Sequence, residues 1–199
     1  MLGADRHPPS GPGLTWRPIA ATMAGVSDAT RTDLKPTRRV EVEEIPTAPA
    51  VFTNTVELAI TPEQLFEVLA DADAWPQWAK AITKVTWTSP GADRGEIGVG
   101  TTRTVEMQGG IVGEEEFVDW DPPRTMSFYF TATNAPGMEA FAEYYQVVPT
   151  AQGCRLTWTL ALWPTGIQKV SLKIFGPVLD RTFAWFLKRL RRYTDQRFA

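Results

Sequence analysis

Arg103, Glu114, Glu116 and Glu143 are the charged residues whose spacing best fits a site. Each lies in a segment that alternates apolar and polar residues, the period of a half-buried strand. Residues 99–108 (VGTTRTVEMQ) and 111–120 (IVGEEEFVDW) flank Gly109-Gly110, and a two-residue Gly-Gly loop favours a tight hairpin. Pairing Gln108 with Ile111 sets Val105 opposite Glu114, Arg103 opposite Glu116, Thr101 opposite Val118 and Val99 opposite Trp120. Facing residues share one side of a sheet. That side carries Met107, Val112, Val105, Val118, Val99 and Trp120, and the other carries Thr102, Thr104, Glu106, Glu115 and Asp119, with Phe117 its one large apolar residue. Arg103, Glu114 and Glu116 are therefore expected to point inward, Arg103 pairing with Glu116. In the next hairpin Met126, Phe128 and Phe130 share a face with Phe141, Glu143, Tyr145 and Val147, and Trp158 and Leu160 lie beside them. Glu143 has no cross-strand cation, so it is expected to take a tyrosine hydroxyl, water or a polar ligand group. A few convergent polar groups in an apolar wall suit a small-molecule site; a self-satisfied ion-pair cluster, or acids solvated at a rim, would leave the same pattern.

The rest of the composition narrows the chemistry. The chain has 199 residues and one histidine, His7, inside the Pro/Gly-rich opening MLGADRHPPSGPG, a composition that does not bury enough apolar area to order itself. The folded part is thus expected to lack imidazole, which removes Ser-His-Asp and Cys-His chemistry and the common zinc sites. No ligand-rich loop of the EF-hand kind is present; neither a metal nor a cofactor is expected. Cys154, the single cysteine, excludes an intramolecular disulfide and reads as a core residue in a reducing, cytoplasmic compartment. The net charge of -3 argues against a general nucleic-acid binder. No apolar run reaches the roughly 20 residues of a membrane span, and Arg17 and Pro18 break residues 14–26 as a secretory core.

The elements that position these residues follow in order. Val56, Leu58 and Ile60 alternate with Glu57 and Ala59 as a strand. Thr61 caps a helix, with Pro62 at its first position and Gln64 completing a capping box; Leu65, Phe66 and Leu69 form its apolar face. Trp75 and Trp78, in a Trp-Pro-x-Trp turn, are expected to anchor the passage from helix to sheet, with stacking on a ligand as the sharper reading. Consecutive strand patterns without intervening helices then imply an antiparallel meander. A long helix over about Gly166–Arg197 ends the chain. Its first part is expected to bury Ile167, Val170 and Ile174; after a kink at Gly176-Pro177 it buries Leu179, Phe183, Phe186, Leu190 and Tyr193. Trp185 shares a side with Arg181, Lys188 and Arg192; its ring is expected to cover the helix or a loop, with a membrane-surface or dimer contact as the sharper reading.

Residues 1 to about 36 show no periodicity and read as a flexible arm, with Met23 an alternative start; its removal is expected to leave the fold unchanged. Lys35–Glu44 is a candidate extra edge strand; residues 1–46 together read as the N-terminal arm, and the domain itself spans 47–199. Charge is uneven: residues 47–165 hold six basic and fifteen acidic groups, and residues 166–199 eight basic and two acidic. An acidic body closed by a basic helix results.

With ITPEQLFEVLAD, the WPQW turn, FVDWDPPRTMSF and the final amphipathic helix, the chain resembles the polyketide cyclase/dehydrase branch of the START-like, Bet v1-like (SRPBCC) superfamily over roughly residues 49–197. The resemblance implies an α+β helix-grip: a curved seven-stranded antiparallel sheet around a long C-terminal helix, two short helices after the first strand, and an apolar cavity between. It implies a binding module, carrier or sequestering protein, for a polyketide-like aromatic, lipid or quinone. Expected ligand-binding residues are Val105, Val118, Trp120, Phe128, Phe130, Phe141, Glu143, Tyr145, Trp158 and Ile174. The alternative is an enzyme similar to the aromatase/cyclases, where Glu143 or Glu116 abstracts a proton, Arg103 stabilises an enolate oxygen and Tyr145 donates a hydrogen bond. Such a base needs its pKa raised by burial. A second alternative is a protein-interaction module built on the basic helix. Fold alone does not choose among them, and the ligand and the oligomeric state stay open.

Overall fold

Thr61 ends a strand and starts a helix by the expected reciprocal bonds. The Gln64 amide donates to Thr61 Oγ1 at 3.2 Å, and the Thr61 amide donates to Gln64 Oε1 at 3.0 Å. Two backbone donors that helix geometry would leave bare are thereby satisfied. The structure is a computed structural model that describes residues 33–199; His7, Met23 and the rest of the expected arm through residue 32 lie outside the described residues.

The elements are β1 (Lys35–Pro36), β2 (Ala50–Leu58), α1 (Pro62–Ala70), α2 (Trp75–Trp78), β3 (Ile82–Trp87), β4 (Thr102–Met107), β5 (Ile111–Asp121), β6 (Thr125–Thr133), β7 (Met138–Thr150), β8 (Gly153–Pro164) and α3 (Gln168–Arg197). Seven strands form one curled antiparallel sheet in the order β2-β8-β7-β6-β5-β4-β3. The connections from β3 to β8 are a meander, and β2 returns to pair with β8. This is the α+β helix-grip that the element order implies.

The inner face holds the main core. Leu58, Leu65, Leu69, Trp75, Trp78, Phe117, Phe128, Tyr145, Leu156 and Leu190 belong to one buried cluster. The outer face has a second, smaller one: Val40 and Ile45 rest on Tyr129, Ala140, Ala142 and Ala161. The packed body thus begins ahead of residue 47, inside the segment read as arm. The candidate edge strand over Lys35–Glu44 is also different from expectation. Only Lys35 and Pro36 pair, and they pair with Thr133 and Ala132 of β6. The β6–β7 ladder ends at Tyr129–Ala142. Beyond that point the two strands part, and the segment fills the gap: the Thr37 amide donates to Thr131 O (3.0 Å) and the Arg38 amide to Glu139 O (2.9 Å).

The β4–β5 register differs by one residue from the expected one. Met107 faces Ile111, Arg103 faces Glu115 and Thr102 faces Glu116. Gln108, Gly109 and Gly110 form a three-residue loop; both glycines have positive φ, 79° and 76°, a conformation other residues adopt only with strain. The inward set on β5 is therefore Gly113, Glu115 and Phe117. A bulge at Val118, between the Phe117–Phe128 and Asp119–Ser127 pairs, then resets the alternation. Val118 turns to the outer cluster and Trp120 to the inner core.

α3 runs without interruption through Pro177. Its buried side is Gly176, Phe186, Leu187, Leu190 and Thr194, with Leu179 and Phe183 half-buried. Extending that stripe backward by the 3.6-residue period reaches Gly176 and Leu172, not Ile174. A β-carbon at Gly176 would sit 3.4 Å from the Phe52 ring, so a residue without a side chain brings the helix down onto β2. Ile167, Val170 and Ile174, expected to be buried, are exposed, Ile174 by 63%.

Candidate functional site

Arg103 is the most enclosed ionised group of the described residues, 1% exposed. β4 delivers it inward, and its Nε donates to Glu115 Oε2 at 2.5 Å. Its guanidinium carbon lies 4.4 Å from the Trp75 ring centroid, 4.5 Å from Phe128, 5.1 Å from Phe117 and 5.5 Å from Trp87. The cation is caged by four aromatic rings from α2, β3, β5 and β6, whose faces attract it. One carboxylate closes the charge. Burial pushes the Glu115 carboxyl up, and Arg103 pulls against it by charge and hydrogen bond. Arg103 Nη1 is buried with no hydrogen-bond partner among the described residues.

Glu143 lies on β7, paired with Phe128 of β6 and Leu160 of β8. Tyr145, two residues on and on the same side, donates its hydroxyl to Glu143 Oε2 at 2.5 Å. Trp158 Nε1 donates to the same oxygen at 2.9 Å. Among the described residues no cation pairs with it. Burial pushes its pKa up to about 8, and the nearby Glu115 carboxylate adds to the shift; the Tyr145 and Trp158 donors and the more distant Arg103 pull against it. Burial thus favours the protonated form of Glu143. Tyr145 is raised well above its ordinary value, by burial first and by Glu143 next.

Aromatic rings join the two centres. Tyr145 stacks on Trp158 (5.5 Å, 21°) and meets the Trp75 edge at 6.1 Å. Trp75 lies 4.9 Å from Trp78, and Trp78 meets Trp158 at 6.0 Å. Trp78 Nε1, like Arg103 Nη1, is buried without a partner among the described residues. Trp75 is satisfied by Leu69 O at 3.0 Å. The two tryptophans of the WPQW turn therefore anchor α2 and also form a wall of this site. Further along the inner face Phe130 stacks on Phe141 at 4.1 Å. Gly113 makes room for that stack, since a β-carbon there would sit 2.6 Å from the Phe130 ring.

Of the expected site residues, the structure brings Arg103, Glu143, Tyr145, Trp158, Phe128, Val105 and Trp120 to the inner core, with Phe130 and Phe141 stacked beside it. It separates four others, of which Glu114 pairs with Thr104 and falls outside the inward set of β5. Glu116 points outward and bonds Arg39 Nη1 at 2.9 Å, because the one-residue change of register exchanges it with Glu115. Val118 joins the outer cluster through the bulge. Ile174 faces solvent. Glu115 and Trp87 were not among the expected site residues, and Trp75 and Trp78 were expected chiefly as anchors. Gly113 is the signal in the sequence that finds Glu115: a glycine at alternate spacing from Glu115 and Phe117 marks the crowded side of the strand.

No described helix is long and apolar enough to cross a membrane, and among the described residues no cluster of metal-ligating side chains occurs. Residues 49–195 match the family model described as polyketide cyclase / dehydrase and lipid transport. The chain is 54% identical over 164 residues to uncharacterized protein Rv2574 of Mycobacterium tuberculosis, a match that covers 82% of this chain and 96% of the relative. Among solved structures it is similar to TTHA0849 from Thermus thermophilus (TM-score 0.61, 14% identity, 75% of this chain and 100% of that one). It is also similar to Ara h 8.0201 (TM-score 0.52, 15% identity, 74% of this chain and 98% of that one). Likeness at such low identity shows a shared fold.

Proposed function

We propose that this chain, which belongs to the polyketide cyclase / dehydrase and lipid transport family, binds a small hydrophobic or amphipathic molecule between the inner face of its sheet and α3. The observation that carries the reading is the polar set in an aromatic wall. Among the described residues Arg103 Nη1 and Trp78 Nε1 are buried donors without partners, and Glu143 is a buried carboxyl without a cation. An unmet buried donor costs about 1–3 kcal/mol, so such groups are rare in folded proteins and call for a reason. A ligand carbonyl or hydroxyl accepting from either donor would supply one. The apolar rings would bury the remainder of the ligand. A polyketide-like aromatic, a lipid or a quinone has this combination.

Glu143 supports a second reading, a cyclase or dehydratase. A carboxyl that titrates near neutral pH suits proton transfer, and Arg103 is a cation that could stabilise a developing oxyanion. In this reading Glu143 is the acid or base, Tyr145 orients it, and Glu115 holds Arg103; Glu116 has no part.

Native mass spectrometry of the protein purified from its own host, with extraction of whatever stays bound, identifies the ligand. A carrier returns a defined apolar molecule and releases it unchanged. Protein that retains nothing and binds none of the three ligand classes would overturn the proposal. Glu143→Gln then separates the two readings. The amide keeps size and hydrogen-bonding capacity, so a carrier keeps binding; an enzyme that uses this carboxyl keeps binding but loses turnover.

A further inference from the structure

The helix α3 has two apolar faces, and the core accounts for one of them. Opposite the buried stripe through Gly176, Leu187 and Leu190, a second set follows the same helical period: Ile167, Val170, Ile174, Val178 and Trp185. All five are exposed, Trp185 by 45%. From Ile167 to Trp185 they run about 27 Å along the helix, at about 1.5 Å per residue. Arg181, Lys188 and Arg192 fall on the same side by the same period, and none of the three makes an ion pair with a described residue. The helix has two acids. Asp180 is turned to Asn54, which donates to it at 2.9 Å, and Asp195 pairs with Arg191. From Ile167 to Arg192 the solvent face thus carries apolar groups and cations, on a protein whose body is acidic.

We propose that this face docks α3 on the surface of an anionic lipid bilayer. A helix with aliphatic and Trp residues interleaved with Arg and Lys on its free side is suited to lie in the headgroup layer. Its aliphatic end enters the acyl boundary while Trp185 and the long cations sit at headgroup level. The charge pattern disfavours a second copy of the chain. A two-fold contact through this face presents each patch to itself, so Arg181, Lys188 and Arg192 would meet their own kind with no acid to answer them. Docking does not depend on what the inner face binds.

Flotation of the full chain with vesicles tests this. Vesicles of phosphatidylcholine containing about 30 mol% phosphatidylglycerol should carry the protein; phosphatidylcholine alone should carry at least about tenfold less, and added salt should weaken the association through screening. Ile174→Asp with Trp185→Ser, and separately Arg181→Glu with Lys188→Glu, should each reduce binding about tenfold or more, with an unchanged melt because the positions are exposed. Wild-type protein that does not float with anionic vesicles, or variants that float as wild type does, would overturn the proposal. So would an Ile174-dependent dimer in sedimentation or tight capture by an acidic protein in place of lipid. The vesicles contain no extracted ligand, so failure here leaves the binding reading intact, and an empty interior would leave docking intact.

Discussion

Glu143 couples the fold to pH. Its carboxyl titrates near 8 in the folded chain and near an ordinary carboxylate value when unfolded. Between those values the folded state holds the extra proton, so stability falls as pH rises through the window and is flat above it. The expected loss between pH 5 and 8 is on the order of 1–4 kcal/mol, read as a falling midpoint in denaturant melts. Glu143→Gln should reduce that slope, leaving the smaller part that the raised Glu115 carboxyl contributes; a slope unchanged by the substitution would mean Glu143 is ionised in the folded chain. The buried pair makes a second test. Arg103→Met leaves Glu115 buried without its partner, which should cost about 3–5 kcal/mol. Glu116→Gln should leave the melt where it was, because its Arg39 partner is on the open outer face. The inward charge at Arg103 was legible from alternation, and so was the tyrosine on Glu143. The identity of the Arg103 partner was not: three successive glutamates offer a candidate to either register, and the residues of the strand do not say how many of Gln108, Gly109 and Gly110 belong to the turn.

At the scale of elements, alternation is reliable until a strand inserts a residue. β5 inserts one at Val118, which is why Trp120 faces inward despite the changed register while Val118 does not. Such a bulge leaves no clear mark in an apolar run, and it is fixed by the neighbouring strand. α1 was legible to its capping bonds, since the cap is local chemistry. In α3 the expected kink at Pro177 hid a simpler pattern: one stripe continues through Gly176, and a glycine is invisible to a search for apolar residues. Gly113 tests the packing of β5 on β6. Gly113→Ala places a methyl against the Phe130 ring and should cost about 1–3 kcal/mol, the usual penalty of overpacking, measured as a shifted denaturation midpoint with unchanged m-value. A neutral result would mean that the Phe130–Phe141 stack moves freely aside.

For the whole molecule, element order was enough for the architecture, because a strand, two short helices, a meander and a long helix leave few ways to close a sheet on one helix. The start of the packed body was not legible, since Val40 and Ile45 stand alone among polar neighbours and their partners are a hundred residues away. Deleting residues through 48 should expose the outer cluster of Tyr129, Ala140, Ala142 and Ala161 and cost several kcal/mol, at about 1.5–3 kcal/mol for each large aliphatic residue uncovered. Thermal melts of that truncation beside one ending at residue 32 would locate the boundary. A melt unchanged by the longer deletion would show that the outer cluster contributes nothing.

The short strand β1 has a consequence for how the chain is made. β1 pairs with β6, and the two residues after it reach β6 and β7, strands that leave the ribosome long after them: Thr37 bonds to Phe130 and Arg38 to Glu139. These residues therefore have no place to go until β6 and β7 have paired and parted. Loop closure over such a distance is slow to reward itself, so this segment should dock late, with substitutions at Val40 speeding unfolding and leaving the folding rate nearly unchanged.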